Sequence, residues 1–155
     1  RTIKILLLSF SLIILQIYIP KIWLLEDFSI GLDFFLICLT ILIFLDKTYM
    51  IILFAFILGL FQDFVVQFEM IGLYAFIKSF SVFCIGYSKK FNHLWTRTVK
   101  MFYIFIIYFL HFLIYLLVSL NYNYLTIIFG AILQAFVCFI LFYFIERVFY
   151  NSKLI

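Results

Sequence analysis

Charge is what this sequence has least of. Of its 155 residues only 12% are Asp, Glu, Lys or Arg, while 69% are hydrophobic, and the mean hydropathy is +1.31. A soluble domain is about a quarter charged and about half apolar. One of this size has too much surface for its volume to hide the remainder. A cytosolic enzyme, a nucleic-acid-binding domain and a disordered tail are therefore excluded, and no separate soluble catalytic domain fits. Cysteine is scarce too. Cys38, Cys84 and Cys138 each stand alone in an apolar run, with no CxxC pair and no disulfide framework, so they read as small buried apolar residues. There is no GxSxG, HExxH or Walker sequence and no paired-carboxylate site. The two histidines, His93 and His111, belong to no His/Cys/Asp/Glu cluster with metal-ligand spacing. No catalytic residue, metal ligand or cofactor is assigned, and a non-enzymatic protein is expected.

What is present is a series of apolar runs. An all-α membrane protein with a six-helix transmembrane bundle is expected, as a single integral membrane domain over 1–155, with spans near 3–19, 30–45, 49–66, 71–87, 101–120 and 124–145. Pro20 closes the first run and Asp46-Lys47 the second. The first run is too long, and too poor in small residues at its end, for a cleaved signal peptide. Several runs are near the short limit for a span, so their helices are expected to stand close to the membrane normal. With both termini cytoplasmic, nine of the eleven basic residues fall on the inner side, Lys21 alone falls outside, and Lys78 lies within a span. That asymmetry matches the positive-inside rule. The main inner feature is a basic loop carrying Lys89, Lys90, Arg97 and Lys100, with Trp95 between them. It is a topology anchor, or a docking surface for anionic lipid or a cytoplasmic partner. Tyr18, Trp23, Tyr74, Tyr122 and Tyr124 are expected at the outer interface, and Tyr49, Tyr87, Trp95, Tyr103 and Tyr150 at the inner one.

Polar groups inside the spans carry the remaining information, because they are costly in lipid. In the third span Ala55, Gly59 and Asp63 repeat every four residues and share one helix face. The fourth span has a matching stripe of Gly72, Ala75, Ser79, Val82 and Gly86. The short connection makes the two helices antiparallel neighbours, and their small faces are expected to meet. Lys78 is expected to snorkel toward Asp63 and form an intramembrane ion pair, with Glu69 and Asp33 as alternative partners at the same level. His111 in the fifth span and Gln134 in the sixth are expected to make single interhelical hydrogen bonds. An ion- or proton-conducting role for Asp63, Lys78 and His111 needs all three on one pathway, and the coarse assignment puts them on different levels.

The order of motifs from Gly31 to Tyr87 resembles one family. Gly31-Leu32-Asp33 heads an apolar helix; Gly59-Leu60-Phe61-Gln62-Asp63 follows, then Gly72-Leu73-Tyr74-Ala75, then Gly86-Tyr87. This stretch, together with size and span count, is similar to the MreD family of bacterial rod shape-determining membrane proteins. Two features depart from the family: Leu32 stands where a proline is common, and Lys78 is unusual in that helix. The resemblance implies a fold similar to the substrate-binding subunits of energy-coupling-factor vitamin transporters. It also implies residence in the bacterial cytoplasmic membrane, and a scaffold role in the elongasome that synthesises lateral-wall peptidoglycan. The partners it implies are an MreC-like single-span protein, MreB, RodA and a class B penicillin-binding protein. The alternative is a vitamin-transporter subunit itself. Against that, such subunits usually carry an Ala-x-x-x-Ala motif in the first helix, and Ile5–Tyr18 contains no alanine.

Overall fold

The computed structural model describes residues 22–25, 28–45, 47–66, 71–91, 93–119 and 123–150. The chain there is helical apart from one short hairpin. Strand β1 (Ile22–Leu25) pairs antiparallel with β2 (Phe28–Ile30), with Ile22 opposite Ile30 and Trp23 opposite Ser29. Helices α1 (Phe34–Leu45), α2 (Thr48–Val66) and α3 (Leu73–Tyr87) follow. A 3-10 turn (Ser88–Phe91) leads to α4 (Arg97–Ser119) and α5 (Tyr124–Tyr150). The described residues are otherwise all-α, as expected. The hairpin residues are mostly β-branched, aromatic or long aliphatic, which suits paired strands.

Helix α1 has no polar face, and a helix that is apolar all round must be buried. Its residues Phe35 to Thr40, with Leu42 and Ile43, are all buried, and α2, α3 and α5 pack around it. The Lys47 carbonyl accepts the first amides of α2, from Met50 (3.1 Å) and Ile51 (3.3 Å). Helix α2 then turns Ile51, Ala55, Leu58, Gly59, Gln62 and Asp63 inward, a repeat of three and four that marks one helical stripe. Its other side exposes Leu53, Phe56, Ile57, Phe61 and Phe64. Helix α3 likewise exposes Phe76, Phe80, Phe83 and Tyr87. Contiguous apolar stripes of this extent are foreign to a soluble monomer and ordinary for a lipid-facing surface.

Among the described residues three helices are long and apolar enough to cross a membrane: Thr48–Val65, Arg97–Val118 and Tyr124–Val148. The first of the six expected spans lies outside the described residues. The second and fourth correspond to α1 and α3, which at 12 and 15 residues rise only about 18 and 22 Å, against a hydrocarbon core of about 30 Å. The fifth begins four residues earlier than expected, at Arg97, and the sixth continues to Tyr150. Arg97 and Lys100 are therefore helical and not part of a loop. They extend α4 because Arg97 is tied to the extended end of α5, as described below.

The tightest helix contact is between α2 and α3. A methyl group added at Gly59 would lie 2.6 Å from the Ala75 nitrogen and 2.7 Å from the Tyr74 oxygen, so the α3 backbone occupies the space where any side chain would begin. The small stripes of the two helices do meet, with Ala55, Ala75, Val82 and Gly86 all buried. Gly86 is packed instead toward the start of α2 and against α1, since a Cβ there would meet Thr48 and Ile43. Gly72 has a different role. Nothing crowds it, and its backbone has φ +103°, a conformation that only glycine adopts without strain.

Gly59→Ala is accordingly expected to destabilise the protein by about 1–3 kcal/mol through overpacking, read as a lowered thermal midpoint in detergent. Gly72→Ala is expected to lose about 1–3 kcal/mol through backbone strain alone. Gly31→Ala, with no atom within 4 Å of the added carbon, should leave the midpoint unchanged.

Candidate functional site

Asp33 stands immediately before α1 and divides its carboxylate between two tasks. Oδ1 accepts the Leu36 amide at 3.0 Å, capping the helix. Oδ2 accepts Lys78 Nζ from α3, and the Nε2 of His111 from α4 lies 3.5 Å from the same oxygen. All three side chains are buried; Lys78 is wholly inaccessible. The aromatic faces of Phe35 and Tyr74 each lie 5.6 Å from the lysine nitrogen, and Tyr74 stacks on Tyr115 of α4 at 4.7 Å. Ser81, one turn beyond Lys78 on α3, holds the other side of the imidazole: its Oγ is 3.0 Å from His111 Nδ1 and donates to the Ile77 carbonyl at 2.7 Å. Cys138 of α5 approaches the Asp33 backbone. Nearby, Tyr108 of α4 donates to Thr40 of α1 at 2.8 Å.

This geometry corrects the expected ion pair. Lys78 pairs with Asp33, not with Asp63. Asp63 is taken up by the start of α3, where Oδ2 accepts the amides of Gly72 (3.0 Å) and Ala75 (3.2 Å) and Oδ1 accepts that of Tyr74 (2.9 Å). The first amides of a helix have no partner within it, and their positive end of the helix dipole attracts an anion. Asp63, fully buried on α2, fills that role from a neighbouring helix. Lys78 and His111 also come to one carboxylate, where the sequence had placed them on different levels.

Other expected residues are distributed as follows. Tyr74, assigned to the outer belt, is a core residue because Asp63 draws its backbone in and Tyr115 covers its ring. Tyr49, Tyr87 and Tyr124 are exposed, as belt residues would be, whereas Tyr103 is half-buried and donates to the Cys84 carbonyl at 3.0 Å. Trp23, Tyr18, Tyr122 and Glu69 fall among residues whose side chains are not described. Gln134 is buried on α5, yet its Oε1 accepts no hydrogen bond among the described residues; the same holds for Gln62 Oε1. His111 makes the interhelical contact to Ser81 given above.

The basic segment is structured at the end of the bundle where α3 and α5 finish and α4 begins. Lys90 lies 4.9 Å from the ring of Tyr87, and Phe91 stacks on Trp95 at 5.1 Å. Trp95 in turn meets Tyr103 edge-on at 5.2 Å. Arg97 donates to Glu146 Oε2 at 2.6 Å, clamping the first turn of α4 to the last turns of α5. Glu146 is fully buried and Lys100 nearly so, while Arg97 keeps 40% of its side chain exposed. Glu146 had carried no sequence signal beyond marking a span end. Ser81 and Thr40 were missed because a hydroxyl inside an apolar run reads as a tolerated small residue.

Among the described residues no group of three or more His, Cys, Asp or Glu could hold a metal ion, and the three cysteines are free thiols. Comparison of the chain with models of known protein families, with curated proteins and with solved structures finds no match.

Removing one member of a buried ion pair leaves the other charge uncompensated. Lys78→Met is therefore expected to cost about 3–5 kcal/mol, measured by denaturant titration in micelles. Adding Asp33→Asn to the same chain should recover most of that loss. A double variant no more stable than Lys78→Met would show that the two charges do not compensate one another.

Proposed function

We propose that this chain is a non-enzymatic scaffold of the bacterial cytoplasmic membrane, working in the elongasome in the manner of MreD. Its surfaces would hold an MreC-like single-span partner and thereby support lateral-wall peptidoglycan synthesis with MreB, RodA and a class B penicillin-binding protein. In this reading residues near 3–19 supply a first span and the bundle has six, with both termini inside and an arrangement similar to vitamin-transporter substrate-binding subunits.

One observation carries the reading. Five of the residues on which the resemblance rests form a single joint: Gly59 lies against the Ala75 backbone, and Asp63 accepts the amides of Gly72, Tyr74 and Ala75. A motif whose polar member is consumed by a neighbouring helix serves to build a shape. The same joint turns the exposed faces of α2 and α3 outward as two broad apolar stripes, which a transmembrane helix can share with lipid. Helices in a bilayer associate through close packing and interhelical hydrogen bonds, since lipid and leucine are equally apolar.

The test is a mild-detergent pull-down of the tagged chain from native membranes, read by mass spectrometry. Recovery of MreC-like, RodA-like and penicillin-binding proteins is the expected outcome. Recovery of a pair of ATPases with a membrane coupling subunit would replace the scaffold with a transporter.

A further inference from the structure

We infer that Asp33, Lys78 and His111 form a proton-binding site inside the bundle, with the proton held at His111 Nε2 against Asp33 Oδ2. The inference goes beyond the scaffold reading and does not depend on it.

The argument starts from the one hydroxyl proton of Ser81. It is donated to the Ile77 carbonyl at 2.7 Å, so toward His111 the Ser81 oxygen can only accept. The tautomer that keeps this bond carries its hydrogen on Nδ1, 3.0 Å from the Ser81 oxygen. That fixes the other nitrogen. In a neutral ring with hydrogen on Nδ1, Nε2 presents a lone pair, and here it faces a carboxylate oxygen at 3.5 Å. Two lone pairs so placed repel, and burial leaves no bulk water to screen them. A proton taken from the aqueous phase onto Nε2 turns the repulsion into a charge-assisted hydrogen bond and breaks no other contact.

Charges of both signs surround the site. The groups facing the imidazole are Asp33 from the start of α1, Lys78 and Ser81 from α3, and Phe112 on its own helix. Cys138 of α5 lies against Asp33, and Asp63 of α2 is within electrostatic reach of Lys78. Asp33 Oδ2 is shared by the Lys78 ammonium and the imidazole, so the proton on Nε2 is held by direct contact with that carboxylate. Lys78 and His111 share one oxygen, so loading the site also gives Asp33 a second cation and draws α4 toward α1.

The test is nitrogen NMR of the full chain, labelled with 15N-histidine and held in lipid nanodiscs. His93→Asn removes the only other histidine signal. Between about pH 5 and 8, where an imidazole exchanges its proton, His111 is expected to show the doubly protonated ring throughout, or one step to the neutral Nδ1–H form. Ser81→Ala, a small change, is expected to abolish the Nδ1–H form in favour of Nε2–H. A wild-type ring that stays neutral across the whole range overturns the site. So does a neutral form carrying its hydrogen on Nε2 while Ser81 is intact, and neither reading requires the Ser81 variant to fold.

Discussion

The structure depends on how one carboxylate is satisfied where water is scarce. Asp33 ends an apolar hairpin and begins an apolar helix, and it is 4% exposed. An isolated ionised carboxylate in such a place is prohibitively costly. The chain meets the cost from three directions. The α1 backbone supplies an amide, α3 supplies an ammonium and α4 presents an imidazole. Each partner comes from a different helix, so α1, α3 and α4 can close around the site only in one rotation and one relative height. Apolar contacts alone would not impose that choice, because Leu, Ile and Phe pack against lipid nearly as well as against one another.

The short length of α1 follows from the same constraint. A helix of about 18 Å falls short of about 30 Å of hydrocarbon, so its first amides need acceptors within the protein. Asp33 supplies one. Helix α3 is also short, and its first amides meet Asp63. Both short helices therefore start at a buried carboxylate, one provided by the residue before the helix and the other by a neighbouring helix. The longer α4 and α5 need no such device at mid-depth. Their polar clamp, Arg97 to Glu146, lies at the start of α4 and near the end of α5, where the exposed part of the guanidinium can reach water.

The sequence made the lipid solvent, the α2–α3 pairing and the inward stripes legible, because composition and a repeat of three and four leave little alternative. Gly59 and Ala55 could be placed from spacing alone. The partner of Lys78 could not. Asp33, Asp63 and Glu69 share one level by residue count, and choosing among them needs the lateral order of the helices, which no local pattern encodes. Gly72 was legible as a required glycine but for another reason: a packing stripe and a left-handed backbone both call for glycine, and only φ tells them apart. The helical state of Arg97 and Lys100 was hidden because basic residues beside aromatic ones read as a loop until Glu146 is seen to face them. Tyr74 looked like a belt residue because tyrosines near span ends usually are, and only the Asp63 contact draws it inward.

Buried ion pairs seldom add much net stability over apolar replacements of the same volume. Their presence here is therefore better explained by specificity than by strength. In a bundle whose outer surface and much of whose interior are equally apolar, a helix rotated by one residue would lose little dispersion energy. It would, however, separate Lys78 from Asp33, Ser81 from His111, or Asp63 from the α3 amides, each at a cost of buried unsatisfied polar groups. The three polar contacts thus penalise the alternatives more than they stabilise the native arrangement. That asymmetry lets a chain so poor in charge specify one packing, and it places its few charges where a misfit would be most costly.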